Sequence, residues 1–540
     1  MTAQERIEPA ASIGLDDWQR LEATAPLPAD LREHVFLDAA GTLHVSDLKA
    51  SGAAFRGWLR RVAMLGITLT PSTCTAAEMR SLRETARGHD SAAGIDSDMQ
   101  KRVMQMLAKA AADKASDVHL TLMPDRGELE YRINGDLERQ VPPYEHDEAD
   151  RMMATTMNSM ISGEGAGSNK PLEIQDARIS NSKFLPPNVS SARIIAGPIS
   201  GGRSMVFRLL YKDTDSFTGS FEERFSKMGY SAQQVADLRE IAERPAGILV
   251  LAGVTNSGKS TTLKHYFETL KIERPQENML SVEDPVEYHL EGIKQQSVNR
   301  HGYESANAAF NAHVRFALRA DPDRAMIGEL RDRETFNLAI TFTRTGHPIG
   351  TTLHASRWYA ILERAADEIR SPEMADPLNY LAQSDLFSGL AYQRLTKGVC
   401  PHCGLDAQAH KDRLPPSVLA ALVDLLGRDD LTGVRLINPT GCDAPNCRGG
   451  VAGRTVLAEV VPTNPVLMQV IRDSGVAAGT RYWREQMGGK SIYDHAREKL
   501  LDGAIDPVSA TDALGPLNSE LINERRWQAF VDQGNAKAGS

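Results

Sequence analysis

The chain predicts an α/β fold built on a mostly parallel sheet, and three observations carry that expectation. Short apolar strands recur at 247–252, 279–282, 325–327 and 349–353, with helical stretches between them. That alternation calls for parallel strands covered by helices. The first of these strands runs directly into a glycine-rich loop that opens a helix. The composition, 41% hydrophobic and 24% charged over 540 residues, is that of a globular protein with length for about three or four domains.

Residues 1–97 read as an N-terminal partner-binding region and linker. HVFLDAAGTLHVSD suggests two short strands about a turn at 39–41, and FRGWLRRVAML has the apolar spacing of an amphipathic helix. The small polar run 85–97 is linker-like. A small mixed α/β unit is expected at 98–212. It opens with a helix at 99–112 and strands at 117–123 and 128–133, the second closed by a hairpin turn at Asn134-Gly135. SARIIAGPISGGRSMVFRLL, starting at Ser191, reads as two strands about a Gly-rich turn. A second linker is expected at 213–224, then the larger α/β domain at 225–515. The polar tail 516–540 is expected to be partly disordered.

The loop GVTNSGKS, from Gly253 to Ser260, fits G-x-x-x-x-G-K-[ST] completely. Its glycines let backbone N–H groups turn inward on a phosphate. The helix that starts there aims its positive dipole end at the same group. Lys259 offers a charge to the β- and γ-phosphates, and the Ser260 hydroxyl can ligate Mg²⁺. Gly253, Thr255, Asn256, Ser257, Gly258, Lys259, Ser260 and Thr261 are therefore the expected binding set for ATP and Mg²⁺. An accidental glycine-rich turn could match the pattern. Here an apolar strand enters and a helix leaves, the context the motif requires.

Holding the metal and activating water needs carboxylates near the loop. Two stretches offer them at strand ends, where a parallel sheet faces its ligand crevice. SVEDPVEY carries Glu283, and ADPDRAMIGELRD carries Glu329. For either stretch alone, solvated charge after a strand explains the carboxylates equally well.

Taken together, the block from Gly253 to Ala355 resembles the secretion ATPase superfamily that drives type II secretion and type IV pili. SVEDPVEY resembles its aspartate box, ALRADPDRAMIGELRDRET its Walker B region and TGHPIGTTLHA its histidine box, in the family's order and spacing. ASDVHLTLMPDRGELEYRINGDL, QDARI and AYQRLTKGVCPHC extend the similarity over roughly 98–510. The resemblance implies a RecA-like P-loop ATPase core preceded by a small, PAS-like α/β subdomain. It implies ATP hydrolysis, with Glu283 as general base, Glu329 as the Walker B acid near Mg²⁺, and His354, and secondarily His347, sensing nucleotide state or linking neighbouring elements. It also implies that Arg193 and Arg208 reach the γ-phosphate from the preceding subdomain. Arginine suits that role because its planar fork is always charged and binds phosphate bidentately. A homohexamer docked on a polytopic inner-membrane platform protein follows from the same resemblance.

The sequence departs from the family pattern at three places. Asn256 stands where glycine is usual, though asparagine tolerates left-handed backbone. Arg324 interrupts the apolar run before Glu329, and Ser200-Gly-Gly-Arg203 replaces a more usual turn. A pilus-retraction or DNA-transfer motor and a non-catalytic nucleotide-binding scaffold are the competing readings. Loss of Lys259, Glu283 or Glu329 would mark a scaffold, and all three are present.

Four of the five cysteines form two close pairs, Cys400/Cys403 as C-x₂-C and Cys442/Cys447 as C-x₄-C. In a reducing compartment such pairs suggest metal before disulfide. Four thiolates suit a closed tetrahedral Zn²⁺ site in an insertion at about 396–455. The net charge of −10, from 61 basic and 71 acidic residues, argues against direct non-specific nucleic-acid binding. No run approaches the ~20 apolar residues of a membrane span, and the first residues lack a signal-peptide pattern. A cytoplasmic protein, peripheral to the inner membrane through partners, is expected.

Overall fold

The computed structural model describes residues 98–161, 169–212 and 219–526, apart from 299, 301, 373, 375 and 384, together with 529 and short stretches between 27 and 75. The expected linker 85–97, the turn at 39–41 and residues 213–218 lie outside the described residues. In the N-terminal region β1 (Val35–Leu37) pairs antiparallel with β2 (Leu43–Ser46), and β3 (Ser72–Cys74) joins β2 in parallel. The helix Ala53–Met64 lays Phe55, Trp58 and Val62 onto Val35, Leu43 and Val45, the three-and-four spacing of one helical stripe.

The first lobe is a six-stranded sheet of β4 (Asp117–Leu122), β5 (Arg126–Ile133), β6 (Asp136–Glu145), β7 (Gln175–Ile179), β8 (Val189–Ile199) and β9 (Gly202–Tyr211). Its order is β6-β5-β4-β9-β8-β7, antiparallel throughout. Alternation decides its faces. Leu129, Tyr131 and Ile133 of β5 point into a core closed by helices Asp98–Ala112 and His146–Thr155, while Glu128, Glu130 and Arg132 take the other face. Asn134 and Gly135 both have positive φ, 51° and 98°, as a two-residue hairpin turn requires.

The second lobe is a seven-stranded sheet. It comprises β10 (Gly247–Ala252), β11 (Met279–Glu283), β12 (Lys294–Ser297), β13 (Arg324–Ile327), β14 (Pro348–Leu353), β15 (Phe387–Val399) and, after a short β16–β17 ribbon (Leu405–Asp406 with Arg435–Leu436), β18 (Val451–Pro462). The order is β12-β11-β13-β14-β10-β15-β18, parallel except for the last pair. All six residues of β10 are buried, because helices cover both faces. Ile248 and Val250 enter one core with Trp358 and Phe387. Leu249 and Leu251 enter the other with Phe225 and Phe267. Ser231 starts the preceding helix with a reciprocal cap to Gln234.

Two sequence features gain a structural account. Arg324 breaks the apolar run, yet it lies within the strand. It opens β13 as a buried residue whose Nε donates to Glu277 Oε2 at 2.7 Å, so the charge is compensated in place. The polar tail docks where it begins, and beyond 526 all of it but residue 529 lies outside the described residues. Leu517 is fully buried in the main core, residues 519–526 are helical, and Arg525 holds Asp424 at 2.6 Å. Leu517, the half-buried Leu521 and Ile522 and the flanking ion pairs together dock a segment of polar composition.

Candidate functional site

Because β10, β11, β13 and β14 are parallel, their C-terminal ends share one edge. The phosphate loop leaves β10, Glu283 ends β11, Glu329 follows β13 by two residues, and His354 follows β14. His347 precedes β14 and packs at a tilt of 31° on Phe342, ring centroids 4.8 Å apart. The length of the strand thus separates it from the edge where the other groups meet. A cleft of about 730 Å³ lies over that edge. The phosphate loop, Glu283, Glu329 and His354 line it from the second lobe, and Arg193 and Arg208 line it from the first.

The loop has the backbone its motif demands. Asn256 adopts φ of 63°, the left-handed conformation expected of its side chain, and Gly258 has φ of 85°. A Cβ at Gly253 would come within 2.4 Å of Ser257 Oγ and 2.5 Å of Gln393 O, so only glycine fits. Lys259 Nζ donates to the Gly253 and Val254 carbonyls at 2.8 and 2.9 Å, and burial lowers its pKa. Ser257 Oγ is buried with no hydrogen-bond partner among the described residues. A glycine cradle at a helix N-terminus, with a lysine and an orphaned hydroxyl inside it, fits a phosphate chain.

Sequence reasoning missed the residue that holds this loop. Gln393 on β15 donates from Nε2 to Ser257 O at 2.7 Å and accepts from Tyr230 OH at 2.7 Å; that hydroxyl also lies 3.2 Å from Thr262 Oγ1. Gln393 sits inside the AYQRLTKGVCPHC stretch, but nothing in its spacing announces a contact with a loop 136 residues away.

The acidic side is equally built. Glu283 Oε1 accepts from Ser281 Oγ at 2.6 Å and from Gln295 Nε2 at 3.0 Å, and burial raises its pKa above the ordinary carboxylate value. Glu329 accepts from Arg331 Nε at 3.1 Å and lies 3.6 Å from His354 Nε2. Burial, and then Lys259, lower the pKa of His354. Arg331 also holds Asp284, whose side chain is little exposed, at 2.9 Å, tying the two acidic stretches together.

Across the cleft, Arg193 and Arg208 occupy directly opposed positions on β8 and β9. Arg193 makes a fork to Asp176, at 3.2 and 2.5 Å, and Arg208 Nε donates to Asp117 Oδ1 at 2.9 Å. Arg178 of QDARI reaches the other lobe, donating to the Val286 carbonyl at 3.2 Å.

The four paired cysteines converge. Their Sγ atoms all lie within 4.8 Å of one another, with Cys400–Cys442 at 3.8 Å and Cys403–Cys447 at 3.6 Å. Thiolates about 2.3 Å from a tetrahedral Zn²⁺ stand about 3.8 Å apart, so the donor set fits that ion. Cys74 lies elsewhere, buried on β3.

Fold and cleft together define a P-loop α/β protein whose phosphate loop faces a second, antiparallel sheet. Residues 93–520 match the family described as Type II/IV secretion system protein, and the chain belongs to that family. It is 31% identical over 409 residues to the Type II secretion system protein E of Pseudomonas aeruginosa, covering 76% of this chain and 74% of the relative. It is 29% identical over 410 residues, with the same coverage, to the Type II secretion system ATPase E of Vibrio cholerae. Among solved structures, the Legionella pneumophila ATPase DotB shares the fold, with a TM-score of 0.52 at 18% identity, over 75% of this chain and 93% of that one.

Proposed function

We propose that the chain hydrolyses ATP and converts the reaction into movement of its two lobes, as the motor of a type II secretion or type IV pilus assembly system. One observation carries this reading. Lys259 and Ser260 share a single cleft with Glu283, Glu329 and two arginines from the opposite lobe. These are the kinds of side chain that phosphoryl transfer draws on beside Mg²⁺.

In this reading the β- and γ-phosphates lie on the loop amides and Lys259, with Arg193 and Arg208 above the γ-phosphate. Mg²⁺, held near Ser260 and Glu329, would neutralise phosphate charge. Glu283 positions water against the γ-phosphorus and accepts its proton, for which a raised pKa is suited. Cleavage of the β–γ bridge removes the group the arginines touch, and the lobes then reorient as rigid bodies. Zn²⁺ on the four cysteines would be structural, joining the two ends of the segment between β15 and β18.

The family supports a homohexamer acting on a polytopic inner-membrane platform protein from the cytoplasmic side. No helix among the described residues is long and apolar enough to cross a membrane. Phosphate release by purified chain with Mg²⁺, measured beside Lys259→Ala, tests the reading. Equal release from both proteins would overturn it.

A further inference from the structure

The segment bearing the cysteines also touches the first lobe, through Arg448, the residue directly after Cys447. Its guanidinium reaches Asp113, at the end of helix Asp98–Ala112, at 3.0 Å, and Glu138 on β6 at 2.7 Å. Lys397, three residues before Cys400, pairs with Asp136 on the same strand. Both cations come from the base of the cysteine cluster. Both anions on β6 belong to the β5–β6 hairpin, which lies beside the nucleotide cleft.

The base is built to hold Arg448 in place. Its N–H donates to Val451 O and its carbonyl accepts from Val451 N, both at 3.0 Å. Cys400 N donates to Gly450 O at 2.8 Å, tying this tight turn to the other cysteine pair. A Cβ at Gly450 would come within 2.2 Å of Asn438 O, so the turn is packed against its own segment. The hairpin and the cysteine segment face each other across a second cleft of about 450 Å³. Asn134, Asp136 and Lys397 line both that cleft and the larger one over the phosphate loop.

We propose that Arg448 is a positioning residue. With Lys397 it clamps the β5–β6 hairpin, and so sets the angle of the first lobe over the nucleotide cleft, and the cysteine cluster is the anchor of that clamp. The anchor half rests on the zinc reading above; the clamp half does not. Arg448 and its partners are partly exposed, 31–41% by side chain. Each pair alone is therefore weak, and the clamp must bias the orientation without locking it. That is what a lobe that moves in every turnover requires. Arginine is the suited residue because one fork reaches two carboxylates on different elements.

The test uses the full chain carrying two spin labels, one on the first lobe and one on the second, with interlobe distances read by pulsed dipolar spectroscopy. Arg448→Gln should broaden the distribution and speed amide exchange in β5–β6 by roughly three- to tenfold, for two weak pairs lost, and Glu138→Gln should do the same to a smaller degree, for one. The double variant should be no worse than Arg448→Gln alone, because Arg448→Gln already removes the Glu138 pair along with the Asp113 pair. Additive effects, or distances unchanged in both single variants, would overturn the clamp. Zinc is measured in the same samples. Its removal by chelator should broaden the wild-type distances and leave Arg448→Gln unchanged. Equal broadening in both proteins would overturn the anchor. Protein that holds no zinc would remove the metal reading and the anchor together, and the glutamine variants would still decide the clamp.

Discussion

Arg193 and Arg208 stand directly opposite each other in the antiparallel ladder of β8 and β9, six residues back from Ile199 and six on from Gly202 at the turn. Like charges at facing positions destabilise a sheet. Here each is answered by a carboxylate on the adjoining strand, Asp176 for Arg193 and Asp117 for Arg208. The fold therefore holds two guanidinium groups together and aims them at the cleft that contains the phosphate loop.

Glu329→Gln keeps the shape of the side chain and removes its charge. Nucleotide binding should persist while turnover falls by about 10²–10³, the scale of losing one transition-state contact. Lys259→Ala should instead weaken nucleotide binding itself, since Nζ is the buried cation of the loop. Calorimetric titration beside phosphate release separates the two effects. Near-wild-type turnover in both variants would refute the site.

Burial raises the pKa of Glu283, so its protonated form persists to higher pH than that of an ordinary glutamate. Turnover should rise with pH through this raised value, with an acid limb above that of an ordinary glutamate. Gln295 donates to Oε1 and works against the shift. Gln295→Leu should therefore move the limb further up. The stability sign is opposite. The folded state binds this proton more tightly than the unfolded chain, so Glu283 disfavours folding as pH rises past its unfolded value. At neutral pH, Glu283→Gln should hold or raise the melting temperature while losing turnover. A limb that does not move in Gln295→Leu, or a lowered melting temperature in Glu283→Gln, counts against the assignment.

The cysteine geometry predicts about one zinc per chain in reducing, chelator-free preparations. Cys442→Ser should lower that content and loosen the segment between β15 and β18. ATP affinity should change much less, because the phosphate loop hangs on β10 and Gln393 instead. Metal analysis showing no zinc would contradict the first statement, and an equal loss of ATP affinity the second.

What could be read from the sequence was what local chemistry determines. The phosphate loop, the strand ends that carry Glu283 and Glu329, and the cysteine pairs are short motifs. The facing of Arg193 and Arg208 follows from a turn whose position its glycines reveal. What could not be read depends on distant pairing. Gln393 steadies the loop and meets Tyr230 across 163 residues. Glu459 is buried within β18 and is met by Arg357 from 102 residues away. Arg324 reads as an interruption because Glu277, its partner 47 residues earlier, lies beside it only once β11 and β13 have paired. Leu517 reads as part of a polar tail because its apolar companions, Leu521 and Ile522 at i+4 and i+5, are outnumbered by the polar residues around them.

Arg208 is predicted to contact the γ-phosphate and neither base nor ribose. ADP lacks that group. Arg208→Ala should therefore lose turnover by about 10³ or more, the scale of an arginine finger, with ADP affinity changed only a few-fold. The affinity for a non-hydrolysable ATP analogue should fall between these. One complication can be separated by design. Asp117 is only 3% exposed, so removing Arg208 leaves a buried carboxylate with the Ser116 hydroxyl, at a cost of about 1–3 kcal/mol in stability. Asp176, the partner of Arg193, is half exposed and can be rehydrated. Arg193→Ala should then show the same selective loss of turnover with little loss of stability. Arg208→Lys should rescue the fold more than the rate, because an ammonium group can pair with Asp117 but cannot reproduce the fork on phosphate. Turnover, melting temperature and both affinities are to be measured for all three variants. Equal losses for ADP and the analogue would assign Arg208 to folding, and unchanged turnover would exclude it from the phosphate.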